Sequence, residues 1–294
     1  MIKELTVISG KGGTGKTTIT AAFAALAENA VYADCDVDAS NLHLILKPTI
    51  KETTKFTGLR IAIKDNEKCN QCGTCLEHCR FDAITDDGSY SIIDERCEGC
   101  GVCRLVCPEE AIRLEDRDSG RAYISDTRFG PMVHANLNIA EEASGKLVTL
   151  VRNYAKRLSK EHNRSLIIVD GPPGIGCPVI AAISGVTMVL VVTEPTVSGI
   201  HDMERVLGVA KHFNIPASVC INKYDINLEN SKKIEEYCQN HGIQVIAKLL
   251  YDDITTQAMI TEKTIIEFSD GEFTQNIKSL WNEIQKKLLE LGNY

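Results

Sequence analysis

The stretch Leu5-Thr-Val-Ile-Ser-Gly10-Lys11-Gly12-Gly13-Thr14-Gly15-Lys16-Thr17-Thr18 decides the fold. Its apolar start reads as a buried strand and its glycines as a tight turn. The residues after the turn read as a helix, Lys16 to Glu28, with Ile19, Ala22, Phe23 and Leu26 on its apolar stripe. Gly10 to Thr17 fits G-x-x-x-x-G-K-[ST] in the strand-to-helix setting that this motif requires. Gly10, Gly12, Gly13, Thr14 and Gly15 supply inward-turned backbone N–H groups for phosphate oxygens, Thr18 continues the cradle, and the helix N-terminus adds its positive end. In this reading Lys16 holds β- and γ-phosphates and Thr17 ligates Mg2+.

Outward from this loop the chain alternates strand and helix. Short apolar strands are legible at Ala30 to Ala33, Ser165 to Val169, Met188 to Val192, Ser218 to Ile221 and Gln244 to Ala247. That alternation predicts an α/β, P-loop NTPase type of doubly wound, mostly parallel sheet. Leu166-Ile-Ile-Val-Asp170 is an apolar strand ending in a carboxylate suited to orient a magnesium-bound water. Gly171-Pro-Pro-Gly-Ile-Gly176 follows as a candidate γ-phosphate sensor.

Eight of the twelve cysteines interrupt this pattern. Cys69, Cys72, Cys75 and Cys79 form one set, and Cys97, Cys100, Cys103 and Cys107 repeat its spacing 28 residues later. Both sets run on to Ala-Ile, at Ala83-Ile84 and Ala111-Ile112, so the segment reads as an internal duplication. The expected organisation is 1–63 as the first part of the nucleotide domain, 64–115 as an inserted metal-binding domain, and 116–294 as the second part. The insert holds 12 Asp+Glu and 6 Lys+Arg, a net −6 of the chain's −8. Zinc is an alternative occupant of paired C-x2-C elements. Cys35, Cys177, Cys220 and Cys238 read as structural, with Cys177 the one to test.

Composition excludes several classes. The 294 residues are 44% hydrophobic and 24% charged, as in ordinary globular chains, which removes disordered and fibrous classes. A net charge of −8 is the wrong sign for phosphate-driven nucleic-acid binding. The chain enters Met1-Ile-Lys-Glu-Leu5 without a leader pattern and carries no long apolar run, so a cytoplasmic location with no membrane partner is expected. The last helix, Phe273 to Leu291, carries Phe273, Ile277, Leu280, Trp281, Ile284 and Leu288 on one stripe. With three Glu and three Lys from Glu272 onward it is expected to pack on the sheet rather than on lipid.

Lys11 narrows the resemblance. Lys11-Gly-Gly-Thr-Gly-Lys16-Thr17 resembles the deviant Walker A of the MinD/ParA superfamily of P-loop ATPases, which includes nitrogenase iron protein and the Mrp-type cluster carriers. The resemblance implies an ATP-dependent homodimer, or a heterodimer with a paralogue, in which Lys11 reaches the partner's phosphates. The segment Asp34-Cys-Asp36-Val-Asp38 resembles the family's switch I, which implies that Asp36 helps position the attacking water. Lys11, Lys16, Asp36 and Asp170 are thus the candidate catalytic residues. Asn222 is implied to face adenine, whereas Asn222-Lys-Tyr-Asp225 also reads as the guanine motif N-K-x-D, so ATP is favoured and GTP kept as the alternative.

The cysteine repeat resembles bacterial ferredoxins with two [4Fe-4S] clusters. An inserted α+β ferredoxin-like domain follows from that resemblance, with crossed ligand sets: Cys69, Cys72, Cys75 with Cys107, and Cys97, Cys100, Cys103 with Cys79. The whole chain resembles the ATPase type found with the molybdenum-copper orange protein. The function this implies is an ATPase that couples nucleotide state to electron transfer, with ATP, Mg2+ and two clusters as cofactors and a redox client as partner. An assembly or carrier ATPase serving a metallocofactor client, and a spatial organiser with redox-sensing clusters, are the alternatives.

Overall fold

A computed structural model describes residues 2–138, 141 and 144–291. The chain forms two compact units: Met1–Thr53 with Ala122–Asn136 and Ala143–Tyr294, and Thr54–Arg121 with Leu137–Glu142. The sequence suggested 64–115 for the second. The extra chain belongs to two 16-residue strands, β3 (Thr49–Lys64) and β6 (Ile112–Thr127), each of which has residues in both units.

The first unit is built on β1 (Lys3–Ser9), β2 (Ala30–Asp34), β7 (Gly130–Leu137), β8 (Leu166–Pro173), β9 (Met188–Thr193), β10 (Ala217–Asn222) and β11 (Gln244–Leu249). Their order is β11-β10-β9-β1-β8-β2-β7, continued by β6 and β3. The ladders from β11 to β7 are parallel. The inner strands are Val-, Ile- and Leu-rich and buried along nearly their whole length, as strands covered on both faces must be.

One face is covered by α1 (Lys16–Leu26), α2 (Leu42–Leu46), α9 (Ile254–Ile260), α10 (Ile265–Phe268) and α11 (Glu272–Leu291). The other carries α5 (Gly145–Glu161), α6 (Cys177–Ile183), α7 (Val197–His212) and α8 (Leu228–Asn240). The stripe expected on the last helix is buried at all six positions, and Trp281 lies 4.9 Å from the Phe23 ring between centroids. No helix among the described residues is long and apolar enough to cross a membrane.

The second unit holds the cysteine repeat on little regular structure: α3 (Thr74–Glu77), α4 (Val102–Val106), and a two-residue ladder between β4 (Ile84–Thr85) and β5 (Ser91–Ile92). Its backbone repeats with its sequence. Gln71 and Gly99, Gly73 and Gly101, and Asp82 and Glu110 all have positive φ, at 59° and 62°, 76° and 78°, and 49° and 48°. Each pair is 28 residues apart, so the two halves make the same turns at the same places.

Candidate functional site

Strand β1 sits between β8 and β9, the place where chain order reverses, and doubly wound sheets open their crevice there, at the strands' carboxyl ends. The loop Gly10–Gly15 lies at that end of β1 and runs into α1. Gly15 has φ 92°, and a Cβ there would lie 2.5 Å from Asn222 Nδ2, so only glycine fits.

Four predicted residues meet. Lys16 Nζ, buried, lies 3.2 Å from Asp36 Oδ2. The Thr17 hydroxyl donates to Asp170 Oδ2 at 2.7 Å, and the Thr20 hydroxyl donates to Asp170 Oδ1 at 3.2 Å. Asp34 ends β2 in register with Asp170 on β8. Its carboxylate accepts from the Asp36 and Leu42 N–H groups at 3.2 Å and from the Ser40 hydroxyl at 2.7 Å.

Three carboxylates are thus buried together, with one buried ammonium that pairs with Asp36 and pulls on Asp170. Burial, then the Asp170 charge, holds the Asp34 carboxyl well above the usual range. Burial also raises Asp170, against the pull of Lys16 and Thr17. The arrangement suits divalent-cation and phosphate chemistry, in which a positive ligand relieves the carboxylates while Lys16 turns to phosphate.

Lys11 does not join this group. Its Nζ donates to Thr196 Oγ1 at 3.1 Å and Ser198 Oγ at 3.3 Å, and it lies 3.7 Å from Glu194, which also pairs with Lys223 at 2.7 Å. Asn222 donates its side-chain amide to the Thr14 carbonyl at 2.9 Å, which ties the base-site segment to the phosphate loop. Asp225 is occupied elsewhere, accepting the Tyr251 N–H at 2.7 Å. The sequence reading assigned no role to Asp34, Thr20 or Glu194. Glu194 could have been found, since it follows the apolar run Met188 to Val192 as Asp170 ends its own.

The second unit sorts its eight repeated cysteines into two pockets. Cys69, Cys72 and Cys75 line one with Cys107, and Cys97, Cys100 and Cys103 line the other with Cys79. Each pocket therefore takes three thiols from one repeat and the fourth from the other. Backbone N–H groups reach two of the sulfurs, Ala62 to Cys97 at 3.4 Å and Ala111 to Cys107 at 3.3 Å. Among the described residues no three His, Cys, Asp or Glu side chains converge on a single ion position. Of the other cysteines, Cys35, Cys220 and Cys238 are buried and Cys177 is exposed.

Comparison with known proteins agrees with the fold. The CobQ/CobB/MinD/ParA nucleotide binding domain matches residues 5–265. An uncharacterised protein of Methanocaldococcus jannaschii is 32% identical over 97% of this chain and 98% of its own. A second from the same archaeon is 31% identical over 84% and 92%. The septum site-determining protein MinD complexed with Mg-ADP from Pyrococcus horikoshii superposes with a TM-score of 0.60 at 18% identity, covering 97% of each chain. The chain belongs to the CobQ/CobB/MinD/ParA family of nucleotide-binding domains and is a P-loop ATPase of its MinD/ParA group.

Proposed function

We propose that the protein hydrolyses ATP with Mg2+ in its first unit and uses the nucleotide state to control one-electron transfer through two [4Fe-4S] clusters held by its second. The observation that carries this reading is the sorting of eight thiols into two pockets of four, each closed by a cysteine from the opposite repeat. Two tandem C-x2-C-x2-C-x3-C sets that exchange their fourth cysteine fit two cubane clusters better than tetrahedral zinc ions. Cys69, Cys72, Cys75 and Cys107 would hold one cluster, and Cys97, Cys100, Cys103 and Cys79 the other. Such clusters accept and release single electrons without a proton.

At the nucleotide site the chain's residues exchange partners. Thr17, whose hydroxyl here donates to Asp170, would hold Mg2+ together with the phosphates, and Asp170 would orient a water beside it, the ion supplying positive charge to the phosphate oxygens. Lys16 leaves Asp36 for the phosphates, which frees the Asp36 carboxylate to orient the attacking water. Water oxygen bonds to the γ-phosphorus, the bond to the ADP oxygen breaks, and the water's proton leaves with phosphate or solvent. Lys11 reaches across a nucleotide-bound dimer, homodimeric or with a paralogue, once released from Glu194. The acidic insert fits a redox client with a basic docking face.

The test is Lys16→Ala in protein loaded with iron and sulfide under anaerobic conditions. Both clusters should assemble, and ATP should no longer alter the rate of electron transfer to an acceptor. Undiminished ATP stimulation in the variant would refute the coupling.

A further inference from the structure

The thiols of the two pockets match under the 28-residue shift, so the other positions where the linings differ stand out. Cys69, Cys72, Cys75 and Cys107 correspond to Cys97, Cys100, Cys103 and Cys79, and Ala111 and Ile112 correspond to Ala83 and Ile84. The second pocket has His78, whose Nδ1 donates to the Thr74 carbonyl at 2.9 Å, with no counterpart lining the first, and the other polar differences favour the first pocket. Lys64 lines the first pocket where Ile92 lines the second, and Tyr90 lines the first where Ala62 lines the second. Thr74 stands where the second repeat has Val102, and its hydroxyl lies 3.4 Å from Cys72 Sγ. Against a thiolate, which has no proton, that hydroxyl must donate.

Carboxylates do not offset this asymmetry. Each pocket has one, Glu109 in the first and Glu98 in the second, and Glu109 also accepts from the Asn70 amide at 2.9 Å. Backbone N–H groups reach sulfurs in both pockets, Ala111 to Cys107 in the first and Ala62 to Cys97 in the second. Lys64 is a lysine with no counterpart in the second pocket, and the Thr74 hydroxyl beside Cys72 has none there either.

We infer that the Cys69–Cys72–Cys75–Cys107 pocket holds its cluster at a higher reduction potential than the other, with Lys64 and Thr74 setting the difference. The inference rests on the reading of both pockets as [4Fe-4S] sites. Adding an electron makes an already anionic centre more negative. An ammonium and a hydroxyl donor stabilise that charge, whereas isoleucine, alanine and valine do not. An electron delivered to the second unit therefore comes to rest in the first pocket.

The experiment is an anaerobic EPR-monitored titration of the full-length loaded protein with Ti(III) citrate, alongside iron and sulfide counts. Each Ti(III) gives one electron to one cluster and becomes Ti(IV), with no proton moved. Two one-electron steps are expected, with the reduced-to-oxidised ratio at the upper step at least tenfold that at the lower at one poise, about 59 mV. Lys64→Met should lower the upper step alone, and Ile92→Lys should raise the lower step alone. Thr74→Val gives a third, uncharged variant should either of these load poorly. Coincident steps, or an unchanged gap in loaded variants, would overturn the inference and leave the cluster reading standing. Absence of iron and sulfide, or zinc alone in the pockets, would overturn both.

Discussion

Replacing Lys16 by methionine keeps the side chain's length and removes the one ammonium buried among three carboxylates. Lys16 is 5% exposed and lies 3.2 Å from Asp36, while Asp34 and Asp170 are fully buried. Burial already raises Asp170, and the Lys16 charge opposes that rise. Without Lys16 the site must keep an uncompensated charge, at about 3–5 kcal/mol for a broken buried pair, or take up a proton. Proton uptake by a carboxyl of ordinary pKa near 3.9 costs about 4 kcal/mol at pH 7 and about 1.5 kcal/mol at pH 5. The cheaper route sets the cost.

The sign follows from proton counting. The folded variant binds more protons than the folded parent, the unfolded carboxyls are alike, and so the variant's deficit grows as pH rises. Urea unfolding of nucleotide-free protein should show a deficit of about 1.5 kcal/mol at pH 5 and about 4 kcal/mol near pH 7. A deficit that stays constant across this range would refute the picture of the Lys16 charge compensating Asp36 and Asp170.

Three further outcomes are expected. His134 Nδ1 is buried without a hydrogen-bond partner, and its ring stacks on His43 at 5.7 Å and on Tyr123 at 5.0 Å between centroids. Burial, with His43 adding, lowers it to about 4. Its contribution is therefore present above pH 6.5 and lost as pH falls through 4, about 3 kcal/mol in all, so His134→Phe should flatten the fall of Tm between pH 7.5 and 4.5. Glu194→Gln should release Lys11 and lower the protein concentration needed for ATP-dependent dimerisation about two- to fivefold, the worth of a partly exposed ion pair, as read by sedimentation velocity. Gly99→Ala should abolish iron and sulfide loading, since Gly99 has φ 62° and a Cβ there would lie 2.1 Å from the Arg60 carbonyl oxygen. Gly88→Ala, at φ 96° in open space, should load normally and lose only about 1–2 kcal/mol in urea unfolding.

Much of the first unit was legible because buried parallel strands write themselves as continuous apolar runs. Val7, Ile168, Leu190 and Ile221 all lie where such runs predicted strands, and all are buried. Strand β3 left no comparable signal. Its sixteen residues include four Thr and three Lys, and only Phe56 and Ala62 among them are buried, so no continuous apolar run marks it. The insert's expected edges at 64 and 115 therefore fall inside long strands.

Within the site, the glycine loop fixed Lys16 and Thr17 through local chemistry, but Asp34 acquires its place only from strand register with Asp170. Register is a long-range property that spacing does not carry. Lys11 was legible as an outlying lysine, while its resting partner Glu194 is 183 residues away and becomes a neighbour only through the sheet order.

The exchange of fourth cysteines also bears on how the second unit assembles. Helices of four and five residues and a two-residue ladder cannot stand alone in water. Neither repeat walls off a pocket by itself, because Cys79 closes the cavity of the later repeat and Cys107 that of the earlier. The halves are interlocked like two clasped hands, so neither can let go alone. Damage at one pocket, by oxidation of a single thiol for instance, removes a wall from the scaffold of the other, and the unit should be made, and lost, as a whole.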